Sequence, residues 1–136
     1  MIEVHTKSSY RLNIVTYNIR TLNGIAEDQF FIESDGIDWS IVGLCETKRP
    51  GNARITLENG HMLLNSGNKQ GRKRNGVGFI IHKKWKDHFL SFEEISERVA
   101  VLHMKGNSKS ENKVTIIQTY LPTLDHEDLE AEEIHD

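Results

Sequence analysis

The 136 residues are 37% hydrophobic and 27% charged, with ten Gly and two Pro, which places the chain with ordinary soluble domains and excludes a repeat array, a collagen or a low-complexity protein. No apolar run approaches the ~20 residues of a membrane helix, and the first thirty residues lack the apolar core of a secretory signal, so an intracellular protein is expected. The formal net charge of -3 is unevenly spread: seven acids and no Lys or Arg lie between Thr123 and Asp136, leaving 17 basic residues against 13 acids in a basic body.

The first element expected is a strand in Arg11 to Ile19, where alternation and β-branched residues favour extended structure. A short helix follows between Asn23 and Asp35, with Gly36 as its stop. Ile41 to Cys45 is apolar at every position, as in a strand covered on both faces. Its cysteine, the only one in the chain, can form no intrachain disulfide and reads as a small buried hydrophobe. A strand, a helix and a strand within some forty residues form a βαβ unit with parallel strands. The carboxyl ends of parallel strands share one sheet edge, where open α/β sheets bind ligands. Asn18 and Glu46 stand at those two ends.

Further strands are expected at His61 to Asn65, Gly76 to His82, Val99 to Met104 and Val114 to Leu121, with Leu90 to Ile95 as one more. The loops Ser66 to Asn75 and Gly106 to Lys113 are rich in turn residues and read as surface hairpin connections. Lys69, Arg72, Lys73, Arg74, Lys83, Lys84 and Lys86 form a basic run unbroken by any acid, the kind of feature that meets phosphates or simply a solvated surface. After Pro122, Thr123 or Asp125 would cap an acidic helix.

The order LNIVTYNIRTL, IVGLCETK, GVGFIIHK, SERVAVLHM and VTIIQTYLPT resembles the amino-terminal half of the endonuclease/exonuclease/phosphatase family. Within that family, the chain is most similar to the apurinic-type endonuclease domains of non-LTR retrotransposons and their domesticated relatives. The resemblance implies an α/β fold, a DNase I-like four-layer α/β-sandwich truncated to about its amino-terminal half. Residues 1–10 would be an N-terminal extension and 11–136 a partial domain. It also implies a first-strand asparagine at Asn18, a metal-binding glutamate at Glu46 followed by Lys48, a catalytic tyrosine at Tyr120 in a Y-x-P-T motif, and a strand-initial Arg98. The implied cofactor is Mg²⁺ or Mn²⁺. The implied partner is the phosphate backbone of DNA, approached by Lys48, Arg72, Lys73, Arg74 and Arg98, with no membrane involved.

The residue types suit that chemistry. Mg²⁺ binds through one or two carboxylates plus phosphate oxygens, an amide such as Asn18 orients a carboxylate or a water, and a phenol donates to a charge-accumulating oxygen. Taken one at a time, each has a plainer reading: Glu46 as a polar strand end, Asn18 as a turn former, Tyr120 as a core aromatic. The seven histidines suggest no zinc site.

The family's second-half motifs, G-D-x-N and S-D-H, do not occur in these residues. Asp125-His126, Asp87-His88 and His135-Asp136 fail on context and position. Hydrolysis by this chain alone is therefore not expected, since such groups act as a unit. Half a sandwich would also bare apolar faces and strand edges, predicting marginal stability and self-association or a partner chain. A non-catalytic nucleic-acid or protein-binding remnant is the alternative function, and a phosphoinositide or sphingolipid phosphodiester the alternative substrate. Arg72-Lys73-Arg74 is too short to read as a nuclear signal.

Overall fold

The computed structural model describes residues 11–106 and 112–121. The N-terminal extension, Pro122 and Thr123 of the Y-x-P-T motif, the expected acidic helix and its tail lie outside the described residues. Eight strands form two sheets. In chain order they are β1 Ile14–Asn18, β2 Ile41–Cys45, β3 Ala53–Thr56, β4 Met62–Ser66, β5 Val77–Ile81, β6 Phe89–Ser96, β7 Val99–Lys105 and β8 Lys113–Thr119. Helix α1 spans Gly24–Glu33, and a 3₁₀ turn spans Lys83–His88. No helix among the described residues is long and apolar enough to cross a membrane.

The first sheet has the order β1-β2-β5-β4-β3 and the second β6-β7-β8. β1 and β2 pair in parallel, Asn18 opposite Cys45, and every other pair is antiparallel. Between them α1 begins at Asn23, whose side chain accepts the Ala26 N–H at 2.8 Å and satisfies one of the orphan donors of the first turn. Helix α1 stops at Ser34, two residues before Gly36 turns the chain at φ +85°. Phe30 is the buried residue of α1 and meets Tyr17 and Trp39 ring to ring.

Strict alternation divides the side chains of the first sheet between two cores. Ile41, Leu64, Val77, Phe79 and Ile81 face Phe92, Ala100, Leu102 and Met104 of the second sheet. Val42, Leu44, Leu63 and Ile80 face the opposite way, onto Phe30, Trp39, Ile19 and Leu22. The layers are therefore helix, sheet, sheet, and β2 and β5 are covered on both faces. The second sheet overlaps β4, β5 and β2, so β1 overhangs it. Ile14, Thr16 and Asn18 consequently remain exposed. Among the described residues β1 pairs only with β2, and β8 only with β7.

The structure corrects one expectation about charge. Lys69 to Lys86 is continuous in sequence, but β5 runs through the middle of it, and a five-residue strand separates its ends by roughly 17 Å. Lys69, Arg72, Lys73 and Arg74 lie on the β4–β5 loop, next to the carboxyl end of β2. Lys83, Lys84 and Lys86 fall on the 3₁₀ turn at the opposite edge, and the run is two patches rather than one.

Candidate active site

Three chain segments converge where β1, β2 and β8 end. The parallel register brings Asn18 beside Cys45, so the next residue of the second segment, Glu46, emerges at the same edge. β8 crosses over β2 closely enough that a Cβ on Gly43 would overlap the Gln118 amide, which donates to Cys45 Sγ at 2.9 Å. A larger residue at this position would force the Gln118 amide to move. The chain then continues to Tyr120, whose N–H donates to the Arg98 carbonyl at 2.9 Å and whose hydroxyl donates to Glu46 Oε1 at 2.7 Å.

Glu46 is half-buried and is held below the usual carboxylate range. The Tyr120 hydroxyl is the main cause; burial opposes it, and a hydrogen bond from Asn18 with the charges of Lys48 and Arg20 adds to the lowering. Cys45 is half-buried rather than fully buried, and burial pushes its thiol up, the opposite of an activated nucleophile.

The loop after β2 is anchored from beneath. Thr47 and Asn65 are both fully buried, and the Thr47 hydroxyl donates to Asn65 Oδ1 at 2.7 Å. The Asn65 amide in turn donates to the carbonyls of Arg49 at 2.9 Å and Gly51 at 3.0 Å. Thr47 and Lys48 donate backbone hydrogen bonds to Gly76 and Asn75, which join this loop to the start of β5. Gly76, at φ +88°, passes where a Cβ would overlap Thr47 Oγ1.

The non-glycine residues with positive φ among those described are Arg20 at 64°, Glu46 at 56°, Lys48 at 53° and Asn75 at 51°. All four surround this edge. A left-handed residue other than glycine costs on the order of 1 kcal/mol, and such strain concentrates at functional sites.

Arg98 occupies the β6–β7 turn, its carbonyl bound to Tyr120. Burial, the largest single influence on its neighbour Glu97, raises that carboxyl, but hydrogen bonds from Asn68, Arg74 and Asn75 and the charge of Arg74 together hold it below the usual carboxylate range. Arg74, at 3.3 Å from Glu97, is thus paired with a carboxylate while remaining exposed like Arg72 and Lys73, for which no ion pair is seen among the described residues. The Asn68 side chain also accepts the N–H groups of Gln70 and Arg72, which shapes the basic loop. Sequence reasoning missed Arg20 and the Thr47–Asn65 pair. The first carries its signal in backbone conformation, and the second is two ordinary polar residues 18 positions apart.

No cluster of three His, Cys, Asp or Glu residues able to hold a metal occurs among the described residues. What is present is one ionised carboxylate with an amide and a phenol beside it. That donor set fits Mg²⁺ or Mn²⁺, which take one or two carboxylates and complete their shell with water and phosphate oxygens. It does not fit zinc, which takes three or four nitrogen or sulfur ligands.

No family model matches the chain. Its sequence is 28% identical over 110 residues to craniofacial development protein 2 of Tragulus javanicus, and 27% identical over 110 residues to that of Bos taurus. Each match covers 81% of this chain and 18% of the relative, so the chain spans less than a fifth of the length of these curated relatives. Among solved structures the chain is similar to the APE2 catalytic domain of Xenopus laevis, with a TM-score of 0.59 and 17% identity. That likeness covers 88% of this chain and 48% of the other, and it gives the fold as DNase I-like.

Proposed function

We propose that this chain, a relative of the DNase I-like endonuclease/exonuclease/phosphatase proteins, forms part of a Mg²⁺-dependent DNA endonuclease of the retrotransposon type, with residues 11–136 as a partial domain. The observation that supports this reading best is the Tyr120 hydroxyl on the Glu46 carboxylate, with Asn18 on the same group. Those are the residue types a metal-assisted phosphodiester hydrolase places around its phosphate.

In this reading Glu46 holds the metal, for which its lowered pKa keeps it ionised. When bound, Mg²⁺ or Mn²⁺ supplies Lewis-acid stabilisation of charge on the scissile phosphate. Asn18 orients the Glu46 carboxylate, and the Tyr120 hydroxyl, whose single proton goes to Glu46 in this structure, would turn from that carboxylate to donate to a phosphoryl oxygen, a contribution worth a few kcal/mol in the transition state. Lys48, Arg72, Lys73 and Arg98 face the DNA backbone, with Arg74 supporting the loop through Glu97.

These residues contain neither G-D-x-N nor S-D-H. Without those motifs the general base of this reading is not assigned among the described residues, and turnover requires groups beyond Asn18, Glu46 and Tyr120. Binding without cleavage by these residues is the second reading, favoured by the excess of cations over acids at this edge.

The test is plasmid nicking with Mg²⁺, against an EDTA control and Glu46→Ala. Metal-dependent nicking that disappears in the variant supports a working site completed by groups outside these motifs. Absence of nicking by folded protein that still binds DNA leaves binding as the function of these residues, and absence of both refutes the proposal.

A further inference from the structure

After β1 the backbone folds into an unusual turn. Thr21 N–H donates to the Ile19 carbonyl at 2.7 Å, a hydrogen bond two residues back that makes Arg20 the centre of a γ-turn. With Arg20 at φ +64°, this is the rare and strained form of that turn. On either side the turn is fastened to the segment carrying Glu46: Ile19 N–H donates to the Cys45 carbonyl at 3.2 Å, and Leu22 N–H to that of Thr47 at 2.7 Å. The two bonds clamp Arg20 against the site in a conformation that glycine or asparagine would adopt with less strain.

Among the described residues the side chain has no structural employment that would explain this. Arg54, Arg74 and His103 each hold a carboxylate within 4.0 Å, at 3.3, 3.3 and 2.6 Å respectively. The Arg20 carbonyl accepts the Thr21 hydroxyl at 2.6 Å, but its side chain is exposed and no hydrogen bond or ion pair to another described residue holds it. The clamps nevertheless seat it beside Glu46, because Ile19 and Leu22, on either side of Arg20, bond the carbonyls of Cys45 and Thr47, on either side of Glu46. A cation and a metal-type carboxylate brought to one edge by their backbones, with no ion pair between them among the described residues, are arranged as a phosphate site requires.

We propose that Arg20 is a phosphate-binding residue of this site, gripping the non-bridging oxygens of a phosphodiester beside Glu46. The proposal rests on the functional reading above and deepens it. A guanidinium suits the task, because its planar fork meets two phosphate oxygens at once where an ammonium meets one. The strained turn is then the conformational cost of holding that fork at the strand end.

Strain and binding give opposite signs in one variant, which separates a binding role from a structural one. Arg20→Asn removes the guanidinium but tolerates positive φ, so Tm should hold or rise. Affinity for a short fluorescein-labelled DNA duplex, followed by anisotropy in EDTA at several NaCl concentrations, should fall about tenfold, and the salt slope should become shallower by about one unit. Arg20→Lys should recover the slope but only part of the affinity. Lys83→Gln with Lys84→Gln, at the opposite edge, should change neither Tm nor affinity by as much.

Unchanged binding by Arg20→Asn overturns this proposal and leaves the functional reading standing. A lowered Tm together with weaker binding also overturns it, since Arg20 would then serve the fold. If the wild-type chain binds no duplex, the functional reading fails and the proposal fails with it.

Discussion

Replacing Asn65 by Leu removes the polar support beneath Glu46 while keeping the branched shape of the side chain. Asn65 is fully buried and takes part in three hydrogen bonds, at 2.7 Å to the Thr47 hydroxyl and at 2.9 and 3.0 Å to the carbonyls of Arg49 and Gly51. The substitution leaves all three partners unanswered. Those two carbonyl bonds lie in part-buried surroundings, where water can substitute, but the Thr47 side chain is wholly enclosed. An enclosed donor without a partner costs about 1–3 kcal/mol, and each lost neutral bond about 1 kcal/mol, so the expected destabilisation is about 3 kcal/mol. In a Thr47→Val background the stranded hydroxyl is absent, and the same change should cost about 1–2 kcal/mol less. Urea unfolding of the four proteins of this cycle gives both numbers. A loss under about 0.5 kcal/mol for Asn65→Leu, or a cycle without coupling, would refute the idea that this pair anchors the loop.

Gly43→Ala should destabilise by about 1–3 kcal/mol through overlap with the Gln118 amide, and most of that cost should vanish in a Gln118→Ala background, measured by thermal unfolding. Tyr120→Phe should raise the Glu46 pKa, read from carboxyl NMR titration; an unchanged value would mean that the hydroxyl does not govern it. Because the folded pKa of Glu46 is depressed, its contribution to stability is complete above the unfolded value and disappears as pH falls through the folded one. Tyr120→Phe should narrow that acid window. His61 is buried, and desolvation first, then the charges of His82 and Lys83, lower its pKa to about 4. Stability should therefore fall between about pH 6.5 and 4, by about 3 kcal/mol in all, as the unfolded chain takes up the proton first. His61→Phe should flatten this interval in unfolding measured against pH.

Much of the frame could be read from the chain. The apolar run Ile41–Cys45 is a strand buried on both faces, and β1, α1 and the parallel pairing appear where the βαβ pattern puts them. β3 escaped because ARIT alternates over only four residues; it is held by pairing with β4 and by Arg54, which reaches Glu94 and the Phe92 carbonyl of β6. The 3₁₀ turn at Lys83–His88 escaped because a single tight turn has no apolar periodicity to detect. The shared edge of Asn18 and Glu46 followed from strand direction alone, whereas Tyr120 entered the site reading only through resemblance, because its place depends on how β8 crosses β2. Arg20 was invisible for a different reason: nothing in its neighbours Ile19 and Thr21 announces positive φ, which arises from the two backbone clamps.

The overhang of β1 gives the molecule a seam. Among the described residues the last strand of each sheet, β1 in one and β8 in the other, presents an unpaired backbone on the side where Asn18 and Tyr120 stand. An apolar pocket of about 220 Å³, lined by Val15, Tyr17, Phe30, Ile37 and Trp39, flanks β1 on its other face. Any strand joining β1 would run about 4.8 Å from it and end against Asn18. Closing the sheet and walling the edge that carries Glu46 are thus one geometric event. A segment that docks along this seam gains a voice in what reaches Glu46, and by linkage a bound phosphate at Glu46 tightens or loosens that docking by the same factor.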